Sequence, residues 1–342
     1  MPTIFYKPGK ISAFALLILF TLFYATNITA QTVKILTTDN GTSIRGLSVV
    51  TDKVVWVSGS NGKIGKSPDG GNSWKWLTVK GFENTDFRDI EAFSSTSAII
   101  MGIDSPAYIL KTIDGGDSWK LVYTNHTKGI FLDAMEFWNE QSGIIIGDPI
   151  DNKMYVIRTF DGGNNWQEIP PAYRPVVDSG EACFASSGTN VRKLTKSIAC
   201  FITGGLRSRL FYKEKKIDLP IIQGKQSTGA NSFAVKNKNT MIVVGGDFNM
   251  PDSTDGNCAI STNGAKTFTT PSVNPHGYRS CVEYLNKTNW ISSGINGVDY
   301  SADDGNTWNK ISSEGFHVCR KAKKGKAIFL AGSKGKIGKV EW

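Results

Sequence analysis

The chain alternates short apolar runs of four or five residues with turns rich in Gly, Asn, Asp and Ser. The first clear set consists of residues 47–50, 54–57, 63–66 and 74–77. Short runs that contain β-branched and aromatic residues, with tight turns between them, predict β-strands. We label the four strands of such a unit a to d in chain order.

One turn recurs between strands c and d and has the pattern S/T-x-D-x-G-x-x-W, the Asp-box. Its acid can accept backbone hydrogen bonds from the loop that follows, its Gly residues take positive φ, and its aromatic residue packs on the neighbouring unit. We therefore interpret these acids as structural. The repeated position is occupied by Asp69, Asp114, Asp161, Asn263 and Asp303.

The spacing of these positions gives the number of units. Asp69 and Asp114 are 45 residues apart, and Asp114 and Asp161 are 47 apart. The interval of 102 residues from Asp161 to Asn263 fits two units, one of which has lost its Asp-box near residue 212. Four-stranded units with this period are typical of β-propellers with WD40/YVTN-like repeats.

The two ends of the chain predict how the ring closes. Residues 58–66 and 331–339 are similar and lie 273 residues apart, which equals six periods. The last unit ends before its strand d, and residues 32–37 are expected to supply that strand. The prediction is one all-β, seven-bladed β-propeller domain over residues 31–342. Its blades are expected at about 44–78, 87–124, 130–170, 180–220, 229–271, 278–312, and 315–342 with 32–37.

Residues 1–30 have the pattern of a signal peptide. Lys7 and Lys10 precede an apolar run over residues 11–25, which is short for a bilayer span, and Ala30 is a small residue at the expected cleavage site. We predict a mature chain that begins at Gln31 and is secreted or periplasmic, with an uncleaved anchor helix as the alternative. After cleavage no stable membrane anchor is expected, and the chain is expected to be a monomer.

Composition narrows the classes of ligand. The formal charge is +9, but the lysines are scattered over many turns, so no nucleic-acid partner is expected. The five cysteines are interpreted as buried apolar residues, with a Cys183–Cys200 disulfide as the alternative. The sequence has no zinc-site spacing of Cys and His and no Gly-rich loop before a helix, so we expect no metal and no cofactor.

The propeller geometry predicts where a binding site lies. The d–a and b–c connections share the face opposite the Asp-boxes, and strand a lines the central channel. Residues that begin strand a should therefore ring one channel mouth, and the b–c loops, which vary in length, should add others. The repeats place at the start of strand a Arg45, Arg88, Leu132 with Asp133, Glu181, Asn231, Arg279 and His317, with Cys183, Cys281 and Cys319 two residues deeper. The b–c loops add Asp104, Asp148, Arg207, Arg209 and Asp247.

These repeats resemble a known group of proteins. The Asp-box hairpins, the strand start at residues 87–90 and the glycine-terminated strand b at 144–147 are similar to the photosystem II assembly and stability factor propellers (the Ycf48-like group). They are also similar to the wider BNR/Asp-box propellers. The first resemblance implies a non-catalytic binding scaffold, whereas some members of the wider group are sialidases and related glycosidases. The run Phe87-Arg88-Asp89-Ile90 departs from the Phe/Tyr-Arg-Ile-Pro start of sialidases.

Two functions are consistent with a mouth that carries arginines and acids. The first is an exported, non-catalytic binding propeller that holds a protein segment, or an anionic or glycan ligand. The second is a secreted glycoside hydrolase or lyase of the sialidase type, with Asp133, Asp148 and Glu181 as candidate catalytic carboxylates. A third interpretation is that these charges only pair with one another and are solvated.

Overall fold

The computed structural model describes residues 1–5, 31–38, 41–103, 105–195 and 198–342, and these residues form a seven-bladed β-propeller. Outside the strands, the regular structure of the described ranges is limited to two single-turn 3₁₀ helices, Pro171–Tyr173 and Ser333–Gly335. No helix of the described chain has the length and apolar character needed to cross a membrane. Residues 6–30 of the predicted signal peptide, which spans residues 1–30, lie outside the described residues.

Four blades follow the predicted repeat of four antiparallel strands. Blade one consists of Ile44–Val49, Val55–Gly59, Lys63–Ser67 and Lys75–Thr78. Blade two consists of Phe87–Ala92, Ala98–Gly102, Ala107–Thr112 and Lys120–Asn125. Blade three consists of Leu132–Phe137, Gly143–Ile150, Lys153–Thr159 and Gln167–Glu168, and blade six of Cys281–Asn286, Asn289–Gly294, Gly297–Ser301 and Asn309–Ser312.

Blade seven joins the two ends of the chain. Its first three strands are Val318–Lys321, Ile328–Ala331 and Ile337–Glu341, and its outer strand is the N-terminal segment Thr32–Thr37. The pairing is antiparallel, with Thr32 opposite Glu341. The outer strand covers an edge that would otherwise expose unpaired backbone groups.

Blades four and five depart from the repeat. The prediction that Glu181 begins strand a of blade four is wrong, because that strand begins at Val191. Residues 183–190, rich in Ser, Gly and Thr, enter the channel instead. Blade four consists of Val191–Lys193, Ala199–Ile202, Arg209–Tyr212 and Lys215–Asp218. Blade five consists of Thr228–Val235, Met241–Asp247 and Cys258–Ser261, with the short strands Gly204–Gly205 and Glu181–Ala182 added at its inner edge and a bridge from Ile260 to Thr269 at its outer edge.

The hydrophobic core lies between neighbouring blades, because alternate residues of each strand face the next sheet. The Asp-box aromatic residues contribute to it. Trp119 of blade two packs edge-on against Trp56 of blade one, with ring centroids 6.5 Å apart. Trp308 of blade six packs with Ile242 and Val244 of blade five. The five cysteines, all within the described ranges, are buried and free, so the alternative of a Cys183–Cys200 disulfide is wrong.

The acids of the Asp-boxes are bonded within their own turns. Asp69 accepts hydrogen bonds from the Ser73 backbone N (2.9 Å) and the Ser73 hydroxyl (2.6 Å), and a third from the Ser67 hydroxyl (2.9 Å). These bonds, that of the Ser73 side chain foremost, lower the pKa of Asp69 to about 2. Asn263 keeps the same arrangement in the weaker copy, accepting from the Thr267 backbone N at 3.0 Å. Hydrogen-bonded in this way, the acids shape the turns.

The closing strand predicts a measurable effect at the N-terminus. Leu36 packs against the core cluster shared by blades six, seven and one, whereas its neighbour Ile35 is exposed. We expect Leu36→Ala to lower the free energy of unfolding by about 1.5 kcal/mol, since it removes most of a half-buried side chain that packs on the core. Ile35→Ala should change it by less than about 0.5 kcal/mol. Urea unfolding measures both variants, and equal effects would contradict the closure.

Candidate functional site

The start of strand a is irregular in four blades, each of which has a β-bulge there. The unpaired residues are Arg45, Arg88, Asp133 and Asn231. A bulge leaves one residue without a partner and redirects its side chain. The paired residue opposite is a glycine at the end of strand b, such as Gly147, where a Cβ would collide with the carbonyl oxygen of Phe131. The repeat therefore gives each of these blades one side chain at the channel mouth.

A cavity of about 540 Å³ lies at this mouth, on the face of the d–a and b–c connections. We call it the upper cavity. Its volume is in the range of small-ligand pockets. The side chains that line it include Arg45, Arg88, Asp148, Asn231 and His317, and the aromatic residues Phe131, Phe184, Phe248 and Tyr278.

Two arginines give the upper cavity its positive charge. Burial, followed by the charge of Arg88, lowers the pKa of Arg45. No carboxylate of the described ranges forms an ion pair with Arg45, whose guanidinium donates only to the Ser186 carbonyl oxygen at 3.4 Å. Arg88 is held by Asp86 (2.8 Å) and lies 5.8 Å from the centre of the Phe131 ring. Arg45 is thus a half-buried cation with unused hydrogen-bonding capacity.

His317 contributes a neutral imidazole to the same wall. Burial, together with the charges of Arg45 and Arg88, lowers its pKa to about 3. Its Nε2 is 2.9 Å from the Ser333 hydroxyl and 3.4 Å from that of Ser43. Its buried Nδ1 has no hydrogen-bond partner in the described part of the chain. A ligand atom is therefore a suitable partner for this nitrogen.

Two carboxyl groups of blade three meet beside the arginines. Asp133 is fully buried, and burial followed by the charge of Asp148 raises its pKa well above the usual range. Asp148 lines the upper cavity and accepts a hydrogen bond from the Cys183 backbone N at 3.0 Å. Burial also raises the pKa of Asp148. Because the two side chains interact directly, no sugar fits between them, unlike the carboxyl pair of a glycosidase, which is about 5 Å or more apart.

Aromatic side chains form the apolar part of the upper cavity. The ring centroids of Phe184 and Phe248 are 6.0 Å apart, and those of Phe248 and Tyr278 are 6.4 Å apart. The Tyr278 hydroxyl donates to the side-chain oxygen of Asn231 at 2.8 Å, which fixes the ring. Phe248 is 41% exposed, more than a packing role requires. The sequence analysis missed these residues, although Phe131 and Phe248 each adjoin a residue that it selected.

The floor of the upper cavity is the insert of blade four. Residues 185–190, which we call the plug, are buried in the channel. Their hydrogen bonds to other blades include those of the Ser187 hydroxyl to Ser280 O (2.7 Å), of the Thr189 hydroxyl to Ser232 Oγ (2.6 Å) and of Arg320 Nη2 to Gly188 O (3.0 Å). The plug separates the two mouths of the channel.

The opposite mouth has a cavity of about 470 Å³ whose charges pair with one another. Arg192 contacts Glu283 at 3.1 Å and Glu136 at 3.8 Å, and Lys323 contacts Glu91 at 2.7 Å. The acids of this second cavity are thus largely neutralised by bases of neighbouring blades. It is a weaker candidate for a charged ligand than the upper cavity, where Arg45 lacks an acidic partner.

Two predicted site residues lie in buried ion pairs outside the upper cavity. Arg279 is fully buried and donates through Nε to Asp299 at 2.5 Å and through Nη1 to the Asn296 side chain at 2.6 Å. Glu181 is bonded by both Arg209 and the hydroxyl of Thr203. Neither side chain lines the cavity, so their predicted place at the mouth is wrong. In each case a nearby opposite charge holds the side chain.

The remaining predicted residues lie away from the upper cavity or outside the residues that the structure describes. Arg207 pairs on the surface with Asp218 at 3.1 Å and Asp178 at 3.7 Å. Asp247 is buried and caps its own loop, accepting from the Asn249 backbone N at 2.9 Å. Leu132 belongs to the core between blades two and three. Asp104 lies outside the described residues.

Comparison with known proteins concerns the fold. No protein-family model and no curated protein matches the chain. A structure of YCF48 bound to a D1 peptide aligns with a TM-score of 0.64 at 17% identity, over 91% of this chain and 96% of that chain. YCF48 from Cyanidioschyzon merolae aligns with a TM-score of 0.64 at 14% identity, over 90% and 98%. The chain has the fold of these propellers.

The same architecture occurs in the WD40 β-propeller domain of Doa1. That structure aligns with a TM-score of 0.61 at 14% identity, over 90% of this chain and 97% of that chain. At such identities the similarity establishes the fold, and at that level it confirms the Ycf48-like resemblance seen in the repeats. Function has to be argued from the site itself.

Proposed function

We propose that the chain is an exported, non-catalytic binding propeller that holds a segment of another protein in the upper cavity. The observation that carries the proposal is Arg45, a half-buried cation without an acidic partner in the described chain, at the mouth of a cavity with aromatic walls. Such a cation is best satisfied by a carboxylate from outside. Phe248 and Tyr278 can hold apolar side chains next to it.

A protein segment fits these features better than a glycan does. Exposed apolar side chains line the opening, among them Phe248 and Ile295. Contiguous exposed apolar groups usually mark protein-binding surfaces. A structure of similar fold, YCF48, has been solved with a D1 peptide bound, which supports a peptide ligand here. An anionic glycan remains the competing ligand in the experiment below.

The binding test compares a double variant inside the upper cavity with a charge-removing variant outside it. Fluorescence anisotropy measures the affinity of labelled, N-acetylated and C-amidated octapeptides that contain an acidic residue beside aromatic ones. We expect Arg45→Gln with Arg88→Gln to weaken the best binders at least about tenfold, since charge-assisted hydrogen bonds are lost. Arg207→Gln, which removes a charge outside the cavity, should leave the affinity unchanged.

Two outcomes would overturn the proposal. One is that octapeptides bind equally well to the double variant and to the parent chain. The other is that acidic polysaccharides bind and the peptides do not, which would indicate a glycan-binding propeller. Turnover of a glycan panel by the parent chain would instead favour the hydrolase.

The proposed location has its own test. The basic residues Lys7 and Lys10, the apolar run over 11–25 and Ala30 support export to the periplasm or the medium. We expect the chain, expressed with its first 30 residues in a bacterium, to be recovered outside the cytoplasm with Gln31 as its first residue. N-terminal sequencing of the fractionated protein decides this. A cytoplasmic product that retains Lys7 would contradict export.

A further inference from the structure

Asp133 is the least satisfied acid of the described chain. It is fully buried, and neither oxygen of its carboxyl group has a well-aligned hydrogen-bond partner. Buried polar groups are normally bonded, so an orphaned carboxyl group calls for an explanation. The nearest guanidinium, that of Arg88, is already bound to Asp86 at 2.8 Å. The charge of Arg88 still lowers the pKa of Asp133, but in the described chain no cation forms a hydrogen bond or an ion pair with its carboxyl group.

We propose that Asp133 and Asp148 together form a subsite for an ammonium or guanidinium group of the bound segment. The inference rests on the proposed function and specifies the ligand further. Asp148 lines the upper cavity and provides the exposed part of the pair, while Asp133 lies behind it at the bulge of strand a. A Lys or Arg side chain that enters the cavity reaches Asp148 first.

The surroundings explain why the pair holds at least one proton more readily than ordinary carboxyl groups do. Asp133 faces Asp148 from strand b, Arg88 from blade two, and Cys183 and the Ala185 backbone from the segment that leads into the plug. Burial and mutual repulsion favour one or two protons on the carboxyl pair. A cation placed between the carboxyl pair and solvent favours the ionised form of the pair. It then binds to the carboxylate through a charge-assisted hydrogen bond.

The position of the pair also sets the pattern of the ligand. The upper cavity is lined by the basic group of Arg45, Arg88 and His317 and also by Asp148. A segment that satisfies both groups carries an acidic residue and a basic residue within a few positions of each other. The charge pattern therefore distinguishes a cognate segment from a merely acidic one.

A small probe tests the subsite without any peptide. N-acetyl-lysine methylamide and its uncharged analogue, N-acetyl-norleucine methylamide, are titrated into the ¹⁵N-alanine-labelled chain while the Ala185 amide signal is followed. We expect the lysine probe alone to shift this signal, and the shift to disappear in both Asp133→Asn and Asp148→Asn. Asp255→Asn, which removes an exposed acid in a b–c loop, should retain the response.

Several results of that titration overturn the inference. They are equal shifts with both probes, no shift with the lysine probe, and shifts that persist in both asparagine variants. A response to calcium chloride without one to the lysine probe would also overturn it, because it would identify the pair as a metal site. Since asparagine is nearly isosteric with aspartate, circular dichroism of the variants should match the parent.

Four octapeptides then separate this inference from the proposed function. They carry Glu or Gln at one position and Lys or norleucine two residues away. We expect norleucine to weaken binding about tenfold in the parent chain and not at all in Asp148→Asn. Sensitivity to Glu without sensitivity to Lys would overturn the subsite and leave the proposed function standing. If none of the four binds, the proposed function fails and the small probe decides the subsite.

Binding of the cation also moves a proton. Because burial favours the protonated form of Asp133 in the free chain and the cation favours the ionised form, we expect binding to release protons and affinity to rise with pH. Calorimetry of the Lys-containing peptide in buffers of different ionisation enthalpy measures this release. Release that is absent, or unchanged in Asp148→Asn, would argue against the assignment.

Discussion

Replacing Asp299 by alanine is expected to lower the free energy of unfolding by about 3–5 kcal/mol, because it leaves a buried guanidinium without its counter-charge. Arg279 is fully buried beneath the cavity residue Tyr278, and burial already lowers its pKa despite the favourable charge of Asp299. The Asp299 carboxylate also lies within hydrogen-bond distance of His276, with Oδ1 2.6 Å from Nδ1. Chemical denaturation measures the loss.

The control for this prediction replaces both partners of the pair. Arg279→Leu combined with Asp299→Leu should recover most of the stability, since replacing a buried ion pair with apolar residues is often close to neutral. Asp255→Ala, at an exposed position, should change stability by less than about 0.5 kcal/mol. A small loss in Asp299→Ala would show that the ion pair is not essential to blade six.

Asp89 is expected to make the propeller less stable as pH rises from about 4 to 7. Burial raises the pKa of Asp89 to about 7, so the folded chain keeps a proton that the unfolded chain loses near pH 4. The free energy of unfolding therefore falls through this window by about 4 kcal/mol and levels off above it. Arg320 and the backbone of Met135 oppose the shift, and Glu91 adds to it.

The variant Asp89→Asn tests this pH dependence. We expect it to raise stability at pH 8 by about 2 kcal/mol, less than the full amount because asparagine cannot accept both the Ile90 and the Met135 backbone bonds. His317 has the opposite effect on stability, because its lowered pKa makes the free energy of unfolding fall as pH drops below 6.5. Asp69→Asn serves as control, since the stabilising effect of Asp69 is lost only toward pH 2. Urea unfolding at pH 5 and pH 8 measures the change in the free energy of unfolding between the two pH values. The prediction is refuted if this change is the same in Asp89→Asn and in the parent chain.

The blades could be predicted because their turns report on backbone geometry. An Asp-box needs an acid, glycines at positive φ and an aromatic residue at fixed spacing, so each copy locates one c–d turn. Blade four lacks the box, and there the alignment placed strand a at Glu181 instead of Val191. The intervening residues are mostly small, and nothing in their periodicity distinguishes a strand from an insert that fills the channel.

The candidate site could be predicted only by position. The repeats identified Arg45, Arg88 and Asp133, whose places follow from a bulge that recurs with the fold. Arg279 occupies the corresponding position in blade six, yet it turns inward to Asp299. The inward orientation of Arg279 depends on Asp299, which is 20 residues away in the sequence, and no local sequence pattern indicates this pairing. The same limit applies to Phe184, which enters the cavity through the insert.

The closing strand reverses the usual relation between synthesis and folding. Thr32–Thr37 is the first strand of the propeller to be made, but its partner Ile337–Glu341 lies about 300 residues later in the chain. The contact spans roughly 300 residues, and such distant pairings are slow to form. A nascent or prematurely terminated chain therefore keeps an open ring with an unpaired edge, and only a full-length product can seal it.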